Sequence, residues 1–411
     1  MSDCFGSSET LLEVSEMLAH IRTAAPAPVG IERVPLMQAV DRILAEPLIA
    51  TLALPRYTAS AMDGIAFAHQ GHTRFKLVGE ALAGHPFEAV VASGEAVSIT
   101  TGAPLPAGCD TVVMAEDIVI SEDRVELSRP ENVRRGQNIR HAGEEIAIGD
   151  RVFEAGILLG PAQLGMAASL GHESIDVHRR PRVAIFSSGD ELRRAGAIDD
   201  TTSSLFDANT FSLAACLKRW GAEVVMTDIL PDHLDESVVR LSSASSQADL
   251  IITSGGVSAG QADLIRSAIQ QLGQVTSWRV AMRPGKPMAF GHIQQVPFFG
   301  LPGNPVAALV TLMQFVQPLF RQLSGRPQWS SIKWQAICEQ PIKGRSGRLD
   351  LLRGHYHIDV CGVARVSVLK EQGSHRLSSL YDANCLIELP ADLASCDTGT
   401  PVTIQPLGEL I

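Results

Sequence analysis

The stretch Asp249-Leu250-Ile251-Ile252-Thr253-Ser254-Gly255-Gly256-Val257-Ser258-Ala259-Gly260 is an apolar run that ends in a loop of glycines and hydroxyl residues. Three other segments between Arg182 and Phe320 end alike, at Ser187-Ser188-Gly189-Asp190-Glu191, at Arg283-Pro284-Gly285-Lys286-Pro287 and at Leu301-Pro302-Gly303-Asn304-Pro305. In an open α/β sheet, ligands bind outside the carboxyl ends of the strands, so four such endings describe one anion-binding crevice.

Outward from these loops, strand and helix alternate. A strand over 183–186 leads into the first loop, and Asp207 precedes a helix that runs to Lys218 and is closed by Gly221. A second strand, 223–230, ends at Pro231-Asp232. The last helix begins at Asn304-Pro305, where proline is tolerated in the first turn. Strand, crossover helix and strand at this spacing predict a parallel, doubly wound sheet.

The flanking sequence has a different texture. Thr10 and Glu13 have capping-box spacing, and Leu11, Val14, Met17, Leu18 and Ile21 follow at helical intervals, so the chain opens with an amphipathic helix. A second short helix is expected over 36–45. Short β-like runs separated by Gly, Pro and Asn turns fill 54–146. Residues 161–170 look helical, and alternating segments from Trp334 onward predict a β-rich end. The expected division is 1–53 with 147–180 as a mixed N-terminal domain, 54–146 as an inserted β domain, 181–325 as the α/β domain and 331–411 as a C-terminal β domain.

Among 411 residues, 45% are hydrophobic and 19% charged, as in an ordinary soluble globular protein. The net charge of -11 argues against a sequence-independent grip on nucleic acid, so an anionic ligand must meet a local cluster of positive charge. Seven scattered cysteines, none spaced as Cys-x-x-Cys, predict reduced thiols in a cytoplasmic protein. The N-terminus has no basic segment followed by an apolar one, so no secretory signal is expected. The apolar run 306–320 is broken by Gln314, Gln317 and Pro318 and reads as a buried helix, with no membrane partner.

The Gly255-Gly256 loop offers free backbone N–H groups to an oxyanion, although it matches neither a Walker A loop nor Gly-x-Gly-x-x-Gly. Arg283 and Lys286 aim two cations at the same crevice. Asp190, Glu191, Asp232 and Asp263 stand at or just beyond strand ends, where carboxylates beside phosphate donors suggest Mg²⁺; helix capping is the other reading. Ser60-Ala61-Met62-Asp63-Gly64 and Thr100-Thr101-Gly102-Ala103-Pro104 form two tight turns. His355 and His357 share a strand face without a third ligand. Arg134, Arg135 and Arg140 form a basic cluster on a loop.

With these segments in view, the chain closely resembles the MoeA molybdopterin molybdenumtransferase family, whose eukaryotic relatives include the E domain of gephyrin. The resemblance runs over essentially the whole length. Its markers are Ser60 to Gly64, Thr101-Gly102-Ala103-Pro104, Gly136-Gln137-Asn138-Ile139-Arg140 with Gly143-Glu144, Ser188-Gly189-Asp190-Glu191-Leu192, Ser254 to Ser258, Pro284-Gly285-Lys286-Pro287, Leu301 to Pro305, Gly347-Arg348-Leu349-Asp350 with Arg353-Gly354, and Gln372-Gly373-Ser374.

The resemblance implies insertion of molybdate into adenylylated molybdopterin with release of AMP. It implies a multidomain α/β fold: a doubly wound MogA-like molybdopterin-binding domain, a β-rich insertion, a mixed N-terminal domain and a C-terminal β domain. It also implies a homodimer whose active site crosses the interface, bringing Asp63 and Thr101 to the crevice of the other subunit. Ser188, Gly255, Gly256 and Ser258 would hold the pterin phosphate, with Pro302 and Pro305 shaping the site, and Arg283, Lys286, Arg353 and Ser374 would bind molybdate. Asp63, Glu191, Asp232 and Asp263 would be catalytic, Asp232 and Asp263 holding Mg²⁺. A molybdopterin adenylyltransferase would be the upstream partner.

Four features depart from the family pattern. Tyr57-Thr58-Ala59 replaces Phe-Asp-Asn, Glu145 an aspartate, Arg283 a lysine and Ala307 a serine. Two rival readings are the preceding adenylyltransferase, whose domain resembles 181–325 here, and a gephyrin-like scaffold.

Overall fold

The computed structural model describes residues 11–197, 203–231, 233–256, 262–393 and 395–408; the side chains at 262, 263, 264 and 266 lie outside that description. The chain divides into two compact units. One comprises Arg33–Val40 and Glu46–Asp176, the other Met1–Glu32, Asp41–Ala45 and Val177–Ile411.

The larger unit is built on a six-stranded sheet in the order Glu223–Leu230, Arg182–Ser188, Leu250–Ser254, Val296–Leu301, Pro287–Ile293, Gly273–Arg279. Its apolar residues alternate between two cores. Val183 and Ile185 face one, with Leu213 and Leu217 of helix Asn209–Arg219 and Phe299 of the neighbouring strand. Ala184 and Phe186 face the other, with Leu241 of helix Leu234–Ser245 and Ala268 and Ile269 of helix Ala262–Leu272. A strand buried on both faces reads as a continuous apolar run, which is why these strands were legible.

The first four strands of that order are parallel, as expected; the last two are antiparallel, which makes the sheet mixed. Only two residues, Gln294 and Gln295, join Ile293 to Val296, and so short a connection closes a hairpin and nothing else. Gln294 takes the left-handed conformation that such turns require, with φ 52.

The expected buried helix forms as Pro305–Thr311, continues through a π-helical turn at Leu312–Val316 and ends as Gln317–Leu323. Pro318 lacks the N–H that would bond the carbonyl one turn back, and the ladder widens just before it. This helix is long and apolar enough to cross a membrane, yet 83% of it is buried inside the protein. Its half-buried Gln314 is paired, the amide donating to Gln405 at 2.8 Å and Gln405 donating back at 3.2 Å, whereas the fully buried Thr311 hydroxyl has no hydrogen-bond partner among the described residues.

The chain after Trp334 closes into a ring of strands, in the order Leu349–Ile358, Ala364–Val368, Trp334–Cys338, Pro401–Pro406, Cys385–Leu389, the last pairing again with the first. The short strand Met282–Arg283, which lies in sequence between two strands of the α/β sheet, Gly273–Arg279 and Pro287–Ile293, joins this ring in parallel, with Met282 opposite Leu349 and Arg283 opposite Asp350. Helix Val14–Ala24 seats Met17 and Ile21, both fully buried, on the first core of the same unit. Glu13 is its N-cap residue; its N–H donates to Glu16, and Thr10 lies outside the described residues.

The smaller unit holds a second six-stranded sheet, ordered Thr111–Met114, Gly64–Phe67, Glu95–Ile99, Arg74–Ala81, Arg124–Leu127, Ile118–Ser121. Ile65, Phe67 and Val113 face one core, while Ala66, Val97 and Val112 face another. The short helix expected over 36–45 does not form. A single 3-10 turn covers Leu36–Gln38, after which Asp41 adopts φ 58, a conformation that cannot continue a right-handed helix. Val40 is consequently exposed and Ile43 buried.

Phe299 is fully buried at the centre of the first core. Replacing it by Ala is expected to cost about 3–5 kcal/mol, read as a lower denaturation midpoint of the larger unit.

Candidate active site

The parallel strands deliver their loops to one end of the sheet, where Asn209 draws them together. At the start of its helix, the Asn209 amide donates to Ser254 Oγ at 2.8 Å and to the Gly303 carbonyl at 2.7 Å. Ser254 Oγ in turn donates to the Pro302 carbonyl at 3.2 Å, and the Gly255 N–H to the Leu301 carbonyl at 3.0 Å. Gly255 and Gly256 both have positive φ, 91 and 69. A side chain at Gly255 would meet the Ser188 carbonyl at 2.6 Å, and one at Gly256 would meet Ile265 at 2.7 Å and Ser188 Oγ at 2.9 Å. Glycine is therefore required at both positions, on conformational and steric grounds. Ser188 is buried here, and its hydroxyl has no hydrogen-bond partner among the described residues. An orphaned buried hydroxyl beside a glycine turn is a donor waiting for an acceptor.

Glu191 stands exposed at this end. Asp232 and Ser258 lie outside the described residues; Asp263 falls in helix Ala262–Leu272, its side chain outside the description.

Beside the strand ends, within the same unit, opens a cavity of about 1010 Å³ between the 283–287 and 302–307 loops and the C-terminal ring. Its wall carries Arg283, Lys286, Lys343, Arg345, Arg348, Arg353 and Lys370 and, among the described residues, no Asp or Glu. Arg353 is only 1% exposed. Its Nε donates to Ser379 Oγ at 3.2 Å, and among the described residues it makes no ion pair with a carboxylate. Burial, then the nearby Arg283, pulls its pKa down to about 10, so it stays charged at neutral pH. The Lys286 ammonium is held below its usual value, first by Arg279, then by burial and by Arg348. A buried cation without an acid is costly unless an anion joins it. Ser374 completes the wall, accepting from the Asn304 amide at 3.3 Å.

Of the residues expected to bind, Arg283, Lys286, Pro302, Arg353 and Ser374 line this one cavity. Ser188, Gly255 and Gly256 form the adjoining strand-end loop, and Pro305 starts the helix behind it without entering the wall. Sequence reasoning missed Lys343, Arg345, Lys370 and Asn209, and quoted Arg348 without a role. The signal was present for three of these, since Lys343, Arg345 and Arg348 fall within six residues around two glycines. Two departures from the family pattern, Arg283 and Ala307, lie in the cavity wall.

In the smaller unit the two marker turns are joined directly. Asp63 Oδ1 accepts from the Thr101 N–H at 2.6 Å and from its hydroxyl at 2.9 Å. The Ser60 and Gly102 backbones bond to each other's turns, and the Ala61 N–H donates to the Asn138 carbonyl at 2.9 Å. These donors, the Thr101 N–H foremost, hold the exposed Asp63 carboxyl below its ordinary value. In the departing segment, Tyr57 donates to the Gly102 carbonyl at 3.3 Å and Thr58 Oγ1 accepts from Ala142 at 3.3 Å. The basic cluster is largely neutralised where it stands. Arg135 pairs with Asp110 at 2.7 Å, and Arg140 with Glu144 at 2.8 Å and Glu145 at 3.2 Å. On the C-terminal ring, His357 approaches Glu339 at 3.8 Å. Among the described residues no group of three His, Cys, Asp or Glu side chains could hold a metal ion.

Fold and site together define a multidomain protein with a cation-lined cavity beside the strand ends of a doubly wound domain. Three family models match the chain: the MoeA N-terminal region (domain I and II) over residues 12–171, a probable molybdopterin binding domain over 184–322, and the MoeA C-terminal region (domain IV) over 335–407. A molybdopterin molybdenumtransferase of Haemophilus influenzae is 38% identical over 405 residues, spanning 98% of this chain and 100% of its own. Gephyrin of Dictyostelium discoideum is 30% identical over 92% of this chain and 60% of its own length. The crystal structure of the molybdopterin biosynthesis MoeA protein from Pyrococcus horikoshii OT3 superposes with a TM-score of 0.83 at 26% identity, covering 97% of this chain and 100% of that one. The chain belongs to the MoeA family.

Because the Asp63 carboxyl is lowered in the folded protein, its contribution to holding the two turns is present above the ordinary carboxylate range and lost as pH falls through the lowered value. Thr101→Val removes the hydroxyl bond and keeps the N–H bond. The Asp63 pKa should rise part of the way toward its ordinary value in a carbon-13 NMR titration, and Thr101→Ser should leave it in place.

Proposed function

We propose that this protein inserts molybdate into adenylylated molybdopterin and releases AMP, a step of molybdenum cofactor biosynthesis. The observation that carries the reading is the acid-free cationic cavity around buried Arg353, next to the Gly255-Gly256 loop with its orphaned Ser188 hydroxyl. Molybdate is a tetrahedral oxyanion and the pterin carries a phosphoanhydride, so the two halves of the site match the two halves of the reaction.

In this reading Arg283, Lys286, Arg353 and Ser374 hold molybdate through charge-assisted and hydroxyl bonds. Ser188, Gly255, Gly256 and Ser258 hold the pterin phosphate, bounded by Pro302 and Pro305. Asp63, Glu191, Asp232 and Asp263 act on the phosphoanhydride, and Thr101 orients Asp63. Asp232 and Asp263 would hold Mg²⁺, a hard cation suited to carboxylate oxygens, which neutralises charge on the anhydride when bound. The residues act within a division of 1–53 with 147–180, 54–146, 181–325 and 331–411.

Asp63 with Thr101 and the cationic cavity belong to different compact units. We infer a homodimer in which Asp63 of one subunit serves the cavity of the other. The described cysteines are free thiols, in keeping with a cytoplasmic enzyme, and a molybdopterin adenylyltransferase would supply the substrate.

Purified protein should release AMP from adenylylated molybdopterin only when molybdate is added, and ATP consumption in its place would favour the adenylyltransferase reading. Ligand binding without any AMP release would favour a scaffold. Asp63→Asn and Asp263→Asn should each be inactive alone. After unfolding and refolding together, mixed dimers should recover activity, because one of their two sites combines wild-type Asp63 with wild-type Asp263. No recovery, with mixed dimers demonstrated, would place both acids on one subunit.

A further inference from the structure

Asp350 is a carboxylate where the electrostatics of the neighbourhood would least admit one. It is 1% exposed and sits on strand Leu349–Ile358, three residues before Arg353, behind a cavity wall whose described charged residues are all cations. A fixed negative charge beside an anion site lowers anion affinity, and burying it costs more unless it is paired. Its pairing is specific. Oδ2 accepts from Arg283 Nη2 at 2.7 Å and from the Arg345 N–H at 2.8 Å. Oδ1 is buried and has no hydrogen-bond partner among the described residues.

The backbone brings the pair together. Strand Met282–Arg283 runs parallel to the start of strand Leu349–Ile358 with Arg283 opposite Asp350, and the Leu349 N–H donates to the Ala281 carbonyl at 2.9 Å. Arg283 remains 32% exposed and lines the cavity. A planar guanidinium can give one edge to a carboxylate and keep donors on its other edge for a ligand, which a lysine ammonium does with far less directional control.

We propose that Asp350 is a positioning residue for oxyanion binding: it clamps one edge of the Arg283 guanidinium so that the other edge is fixed toward the cavity. The inference rests on the reading of the cavity as the molybdate site. With Arg283 partly neutralised, Lys286 and Arg353 carry the uncompensated charge, while Arg283 supplies direction.

The test is a double-mutant cycle read by calorimetric titration of the full-length protein with molybdate. Asp350→Asn keeps the side-chain volume and an acceptor for Arg345. It should weaken molybdate binding about tenfold, the size of a lost charge-assisted bond. Arg283→Ala should weaken it as well, and in the Arg283→Ala background, where the Asp350 charge has lost its partner, Asp350→Asn should cause no further loss and should regain some affinity. An equal loss in both backgrounds, or no loss in either, overturns the proposal. A second readout needs no ligand: the Arg283 side-chain nitrogen-15 signals should show hindered rotation in the wild type and averaged rotation in Asp350→Asn. Free rotation in the wild type also overturns it. Absent molybdate binding by the wild type, with hindered Arg283 rotation retained, would refute the molybdate reading and leave the clamp standing.

Discussion

Strands buried on both faces can meet a ligand only at their ends. Val183 to Phe186 and Leu250 to Ile252 send alternate side chains into two separate cores, so neither face is open to solvent. Chemistry is thereby confined to the loops that leave the strands, and parallel pairing sends those loops to one edge. Asn209, Ser254 and the Gly303 carbonyl bind the loops to one another there. The Gly255-Gly256 turn follows from the same crowding, since the loops pass too close to Ser188 and Ile265 for any side chain.

A second constraint is charge. The chain as a whole carries a net charge of -11, yet the cavity beside the strand ends carries seven lysine and arginine residues and, among the described residues, no acid. Self-repulsion of this kind is visible in the lowered pKa values of Lys286 and Arg353, each depressed in part by a neighbouring cation. Such a cavity is electrostatically incomplete without an anion. The one carboxylate at its back, Asp350, is committed to Arg283 and to the Arg345 backbone, and so it orders the wall while leaving Lys286 and Arg353 uncompensated.

Much of the architecture was legible because burial leaves a periodic trace. The parallel strands read as apolar runs closed by glycine, and the small-unit strand Thr111–Met114 and ring strand Cys385–Leu389 lie where their runs predicted. The misreadings are local. The antiparallel edge depended on a two-residue turn of glutamines, which carry no glycine or asparagine signature. The expected helix over 36–45 failed at Asp41, whose left-handed backbone, φ 58, leaves Val40 exposed while Ile43 is buried.

Residue types and order alone indicated glycine-hydroxyl loops at the ends of parallel strands, two cations, Arg283 and Lys286, beside them, and tight turns at Asp63 and Thr101. Tertiary structure alone decided that Lys343, Arg345, Arg348 and Lys370 join Arg283 and Lys286 in one wall, and that the Asp63 carboxylate bonds Thr101. It also decided that Arg283 is clamped by an acid 67 residues away along the chain. The reason lies in what each kind of information records. Periodicity reports whether a residue is buried, because burial repeats with the local backbone. A pairing between charges on different elements leaves no periodic mark, because it depends on strand register and ring closure, which are fixed only when the whole chain packs.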